Sequence, residues 1–180
     1  GFDIFIRRSN DLRKDINGKT IRSLGHVPVL YLNYETMRKK LFDYKAARIA
    51  VENGKEIWKS IVRTYMIDLD DLEIVSQFNA EIRGFYNYYS IANNSPAINS
   101  FYHIMSYSMY KTFARKYKSS VKKILFQYKK DGTFKVAYEN SKGKTLYQSF
   151  YHDGFKRKKI AGATSCDTIP RTVTITGGRN

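Results

Sequence analysis

Asp68-Leu69-Asp70-Asp71-Leu72-Glu73-Ile74-Val75-Ser76-Gln77-Phe78-Asn79-Ala80-Glu81-Ile82-Arg83-Gly84-Phe85-Tyr86-Asn87-Tyr88-Tyr89 is the most regular stretch of this 180-residue chain. Leu72, Val75, Phe78, Ile82, Phe85 and Tyr89 recur at steps of three and four, which sets them on one face of a helix. Asp68 can cap that helix, and Asp70 and Asp71 suit its positive N-terminal end. Asn79, Arg83 and Asn87 stand at i, i+4 and i+8, a polar ridge beside the apolar stripe. Such side chains can reach phosphate, ribose or base edges. They can equally knit an internal network, and both readings stay open at this point. Gly84 sits inside the helix at a cost of about 1 kcal/mol relative to Ala, which points to close approach of another helix or of a ligand backbone.

Working outward, Asn93-Asn94 ends this helix and Ser95-Pro96 starts another, with Ser as cap and Pro at the first helical position. Ile98, Phe101, Met105, Met109 and Phe113 form its stripe. Upstream, Tyr34, Met37, Leu41 and Tyr44 predict a helix over 33–48. Residues 49–67 show no clear period, although Trp58, Ile61, Val62 and Tyr65 could cover a bundle. The expected fold is mainly α: a small three-helix bundle over 33–118, with a short N-terminal β segment over 1–32 and a basic, partly β C-terminal extension over 119–160. In the first segment Phe2, Ile4 and Ile6 alternate with Asp3, Phe5 and Arg7, Asn17-Gly18 marks a turn, and Val27 to Leu32 is a second apolar run. Gly1 lies hard against that strand, so the chain reads as a piece of something larger. In the extension, Val121 to Tyr128 reads as a short helix, Asp131-Gly132 as a turn, and Phe134, Val136 and Tyr138 as a strand with Thr145 to Phe150 as its partner. Residues 161–180 read as a linker or arm.

The charge is lopsided. Lys and Arg number 32 against 16 Asp and Glu, and residues 111–160 alone carry +12 of the net +16. Such a field draws in a polyanion. Lys111, Arg115 and Lys118 fall at i, i+4 and i+7 on the third helix, more than 90° from its apolar stripe, and Lys122, Lys123, Lys129 and Lys130 continue the path. Lys116 falls on the apolar side and is expected to snorkel out at the bundle end and join the RNA-binding residues. Tyr107 and Tyr110 are interleaved and can stack on bases. An anionic membrane surface fits less well, because no basic stretch has a broad apolar helix face. No window of eighteen uncharged apolar residues exists to span a bilayer.

Several chemistries lose their residues. Cys166 is the sole cysteine, which excludes an internal disulfide framework or multi-cysteine zinc site and fits a reducing compartment. His26, His103 and His152 are far apart. No Gly-rich phosphate loop is present, since Gly177-Gly178 lacks the Lys-Ser/Thr that follows in one. A tyrosine recombinase needs His followed three positions on by Arg, and here Val29, Ser106 and Phe155 stand there.

Phe78 to Tyr89 resembles the signature of the maturase X domain of group II intron reverse transcriptases, usually Tyr-Asn-x-x-x-Arg-Gly-x-x-Asn-Tyr-Tyr, with Phe78 the sole departure. Gly1-Phe2-Asp3-Ile4 looks like the end of a reverse-transcriptase palm. Tyr107-Ser108 with Lys111-Thr112 and Lys116-Tyr117-Lys118 resembles that family's Ser-x-x-x-Thr-x-x-x-Lys-x-Lys helix. The likeness spans residues 1–140. It implies a thumb-like bundle that is not an enzyme by itself, a piece of an RNA-directed DNA polymerase whose Asp-Asp motif would lie upstream. The Cys-x-x-Cys ligands of a C-terminal DNA-binding region are missing too. It implies no cofactor in this chain, Mg2+ for the full-length enzyme, and a bacterial cytoplasmic or organellar setting. The implied partners are group II intron RNA, template-primer nucleic acid and the upstream palm, with no membrane. A ribosome- or tRNA-associated module and a purely structural brace for the palm remain the alternatives.

Overall fold

The computed structural model describes residues 1–9, 12–22 and 25–158, without the side chain at position 13. The expected arm at 161–180, with Cys166, lies outside the described residues. So does Lys159, at the end of the basic extension.

The fold opens with a hairpin of β1 (Phe2–Arg8) and β4 (His26–Leu32), antiparallel with Phe2 opposite Leu32 and Arg8 opposite His26. A smaller hairpin, β2 (Leu12–Lys14) and β3 (Thr20–Arg22), lies inside that connection. Its turn is built by Asp15, whose carboxylate accepts from the backbone N–H groups of Asn17 and Lys19 at 2.9 and 2.8 Å while Gly18 adopts φ +77°. Asn33 caps α1 (Tyr34–Asp43) by accepting from the Glu35 N–H at 2.7 Å. The helix buries Met37 and Leu41 as expected but ends sooner than residue 48, because Lys45 takes φ +51° and the chain turns back as a strand.

Here the structure corrects the expected fold class. The unassigned 49–67 region is mostly a hairpin, β5 (Ala47–Glu52) paired with β6 (Lys55–Ser60). Its turn is Asn53-Gly54, both with positive φ (53° and 73°), the geometry that matches strand twist. Two long helices follow, α2 (Asp71–Tyr89) and α3 (Ile98–Lys116), then a short α4 (Val121–Tyr128). The chain closes with a three-stranded antiparallel sheet of β7 (Lys129–Lys130), β8 (Thr133–Glu139) and β9 (Thr145–Ser149). With nine strands and four helices among the described residues, this is a mixed α and β fold rather than mainly a three-helix bundle. The extension is not an appendage either. Phe134, Val136, Phe150 and Phe155 are 3% exposed or less and share one core with Phe78, Ile82, Phe101, Met105 and Phe113. The physical reason is area: α2 and α3 are apolar on more than one side, and the sheet covers what α1 leaves open.

The periodic stripes themselves are as expected. Val75, Phe78, Ile82, Phe85 and Tyr89 are buried on α2, with Leu72 half-buried. Ile98, Phe101, Met105, Met109 and Phe113 are buried on α3. Phe85 stacks on Phe101 with ring centroids 4.2 Å apart at 11°. The cap of α2 is Asp70, not Asp68: Asp70 and Glu73 form a capping box, with the Asp70 N–H donating to the Glu73 carboxylate at 3.2 Å. Asn93-Asn94 does end the helical run, and it also docks on β4. Asn94 accepts from the Leu32 N–H at 2.7 Å and donates to the Leu32 carbonyl at 2.9 Å.

Candidate nucleic-acid interface

The signature segment holds the C-terminal strap to the core. Asn79 is 4% exposed and is not part of a solvent ridge. Its amide nitrogen donates to the Ser149 carbonyl at 2.9 Å, and its oxygen accepts from the Tyr151 N–H at 2.7 Å. One side chain thus satisfies two backbone groups where β9 ends, as buried polar groups require. Further along, the Tyr86 hydroxyl donates to the Lys156 carbonyl at 2.8 Å, and the Tyr86 ring meets the fully buried Phe155 edge-on at 5.3 Å. Burial raises the Tyr86 pKa. Ser95 donates to the Phe155 carbonyl at 3.0 Å, and the Lys158 N–H donates to the Ser90 carbonyl at 2.8 Å.

Arg83 and Asn87 are exposed. The Arg83 guanidinium lies 4.9 Å from the centroid of the Tyr151 ring and forms no ion pair among the described residues. The ridge of Asn79, Arg83 and Asn87 is therefore split between one internal clamp and two surface groups. Gly84 faces open space: a Cβ added there meets nothing within 4 Å. The expected close approach of another helix is absent, because the elements that pack on α2 lie on its other sides.

The basic helix is sorted in the same way. Lys111 was expected on a solvent-facing stripe. It is half-buried, and its Nζ donates to the Ser60 carbonyl at 2.7 Å, tying α3 to the end of β6. Lys116 does not snorkel outward. Its Nζ lies 2.7 Å from Asp71 Oδ1 and 2.7 Å from the Leu69 carbonyl, inside a knot where Tyr117 and Tyr128 also donate to the Asp71 carboxylate at 2.7 and 2.8 Å. This knot joins the start of α2, the end of α3 and α4. Burial, reinforced by hydrogen bonds with Tyr117 and Asp71, pushes the Tyr128 pKa far above that of an ordinary phenol.

Arg115, Lys118, Lys122 and Lys123 are exposed and have no acidic partner among the described residues. They cluster at the turn between α3 and α4, where Lys118 takes φ +46° and Ser120 caps α4 by accepting from the Lys123 N–H. Lys129 and Lys130 lie on β7 and are exposed, with Lys130 Nζ 5.1 Å from the Tyr147 ring centroid. Of the interleaved tyrosines, Tyr107 is exposed, whereas Tyr110 is half-buried against Phe134 and burial lifts its pKa to about 12.

Sequence reasoning missed the buried ion pair of Arg63 and Glu81, 2.7 Å apart, with the Arg63 guanidinium 4.0 Å from the Phe78 ring centroid. It also missed Asp71 as the centre of the knot. No spacing marks either, because their partners are 18 and 45 positions away. Among the described residues no group of three or more His, Cys, Asp or Glu is placed to hold a metal ion, and no helix is long and apolar enough to cross a membrane.

Two comparisons relate the chain to known proteins. Residues 31–164 match the family model described as type II intron maturase. The chain is also 34% identical over 145 residues to the group II intron-encoded protein LtrA of Lactococcus lactis subsp. cremoris, and equally to that of its strain MG1363. The match takes in 80% of this chain and 24% of the relative, so the chain spans about a quarter of the length of the curated relatives it matches.

Proposed function

This chain belongs to the type II intron maturase family, and from that premise we propose that it binds folded group II intron RNA through the face built by Arg115, Lys118, Lys122 and Lys123, favouring the splicing-competent fold. The observation that carries the reading is the division of labour among neighbouring cations. Lys111 and Lys116 are committed to internal carbonyl and carboxylate partners, while these four project into solvent with no acid to neutralise them. Recognition would be of backbone and shape, as suits structured RNA. Chemistry would belong to other parts of a full-length protein, including any Mg2+-dependent polymerisation, for which this region would act as a thumb gripping template-primer duplex.

The test is binding of intron RNA over a salt series. Each phosphate contact should steepen the fall of affinity with salt, and four contacts should cost roughly a hundredfold between 50 and 200 mM. Reversing Arg115, Lys118, Lys122 and Lys123 to Glu should leave the melting temperature near that of the wild type, weaken binding severely and flatten the salt slope. A folded quadruple variant with wild-type affinity rejects this face. Competition by tRNA at equal strength would favour a general RNA-binding module instead.

A second reading has its own support in the N-terminal hairpin. Ile4, Phe5 and Ile6 of β1 are 69, 54 and 76% exposed, and consecutive strand residues point to opposite faces. A strand apolar on both sides suits docking against an upstream polymerase palm, which would make this hairpin a brace.

A further inference from the structure

Two adjoining cavities lie where α2 and α3 meet the C-terminal sheet. One, of about 360 Å³, has Tyr102, Tyr110, Phe134 and Phe150 among its walls and takes in Lys129. The other, of about 550 Å³, takes in Arg83 together with Gln148 and Tyr151. This adjoining pair, the cleft, shares Thr133, Phe150 and His152 in its linings. The cleft's composition is selective. No Asp or Glu lines either cavity, and neither Arg83 nor Lys129 forms an ion pair among the described residues. On the same sheet Lys135 is neutralised by Asp131 at 3.1 Å, so carboxylates are present but not in the cleft. An anion is favoured there.

The walls add a second requirement. Tyr102 stacks on Phe150 at 5.3 Å and 23°, His152 meets Tyr102 edge-on at 4.8 Å, and Tyr110 lies 5.6 Å from Phe134. Phe134 and Phe150 are 2 and 3% exposed, so the rings a planar ligand can reach are those of half-buried Tyr102 and Tyr110 and exposed His152, and the volumes are in the range that holds a small ligand. The cleft is also pre-organised, because Asn79 clamps the backbone on both sides of Phe150 from the signature helix. A pre-built wall spares a ligand the cost of ordering it.

A nucleotide is both anionic and planar. We propose that this cleft receives a single unpaired nucleotide extruded from folded RNA, its base against Tyr102, Tyr110 and His152 and its flanking phosphates near Arg83 and Lys129. The proposal rests on the reading that the chain binds structured RNA, and it assigns the signature arginine to a site separate from the Arg115–Lys123 face. Arg83 then reads an interruption in a duplex, whereas the basic face reads the duplex backbone.

The experiment uses two RNA hairpins that differ by one bulged 2-aminopurine, titrated into the whole chain. The bulged hairpin should bind roughly tenfold tighter through base–aromatic stacking, and its 2-aminopurine fluorescence should fall on binding. In the double variant R83Q/H152A, which alters two exposed side chains and removes a ring that lines both cavities, the ratio of the two affinities should collapse to near one and the quenching should disappear. Using the ratio cancels any general loss of charge. If the wild type binds both hairpins equally, or the variant keeps the ratio, the cleft is rejected while RNA binding stands. If the wild type binds neither hairpin, both readings fall.

Discussion

Arg63 Nη1 stands 2.7 Å from Glu81 Oε2 in the interior of the protein, with the arginine side chain fully buried and the glutamate side chain 9% exposed. The arginine arrives from the segment after β6, while the glutamate belongs to the signature helix. The Phe78 and Tyr44 rings lie 4.0 and 5.9 Å from the guanidinium carbon, and Nη2 lies 3.4 Å from the Met105 sulfur. The Arg63 backbone N–H also donates to Thr112 Oγ1 at 3.0 Å on α3. One residue thus couples the segment after the β5–β6 hairpin to both long helices.

Removing one partner of such a pair strands the other charge. Arg63→Met or Glu81→Leu should each cost roughly 3–5 kcal/mol, whereas the double substitution should recover most of that loss. Urea denaturation of the three variants gives the coupling directly. Single variants within about 1 kcal/mol of the wild type would mean that the core tolerates the unpaired charge.

Asn79 and Arg83 should separate cleanly. Asn79→Leu leaves the Ser149 carbonyl and the Tyr151 N–H unsatisfied, at roughly 1–3 kcal/mol each if they stay buried. Its signature is faster amide exchange at Tyr151 together with a lower melting temperature. Arg83→Ala loses only an exposed contact with the Tyr151 ring, on the order of 0.5–1 kcal/mol. Equal damage from both would contradict the split between clamp and surface group.

Gly84→Ala should stabilise the free chain by up to about 1 kcal/mol, because the position is helical and the added methyl group meets nothing. Thermal unfolding of the free protein checks the sign. A lower melting temperature would show that the helix needs the glycine for itself.

Alkaline pH should destabilise the fold before it titrates the buried tyrosines. Burial raises the pKa of Tyr110 from 10.0 to about 12, and Tyr128 is raised further by burial, Tyr117 and Asp71. These groups keep their protons in the folded state while the unfolded chain loses them. Their stabilisation is therefore complete below pH 10 and declines as pH rises from 10 towards 12. Urea midpoints should fall across that window, with part of the phenolate absorbance appearing only on unfolding. In Tyr110→Phe, which keeps the ring, the fall should be shallower. A midpoint flat across the window would contradict the raised pKa values.

Much of the local structure was legible in the residues alone. The stripes of α2 and α3, the Asn17-Gly18 and Asp131-Gly132 turns and the strand over Phe134 to Tyr138 follow from steps of two, three and four residues and from backbone preferences, which are local quantities. Asn53-Gly54 carries the same turn signal for the β5–β6 hairpin, and that hairpin is half of what turns an expected bundle into a mixed fold. The signature over Phe78 to Tyr89 points to the family, and the excess charge after residue 110 is the basis for the polyanionic ligand proposed here.

What only the tertiary structure decided is which polar group faces inward. Lys116 and Arg115 are adjacent, yet one closes on Asp71 and the other is left to solvent. Asn79 and Asn87 share a ridge, yet one clamps the strap and the other is exposed. Helical spacing fixes the angle of a side chain around its own axis. It does not say which element, 45 residues earlier or 70 residues later, comes to meet it, and it is that meeting which turns a charge or an amide from a surface group into a structural one.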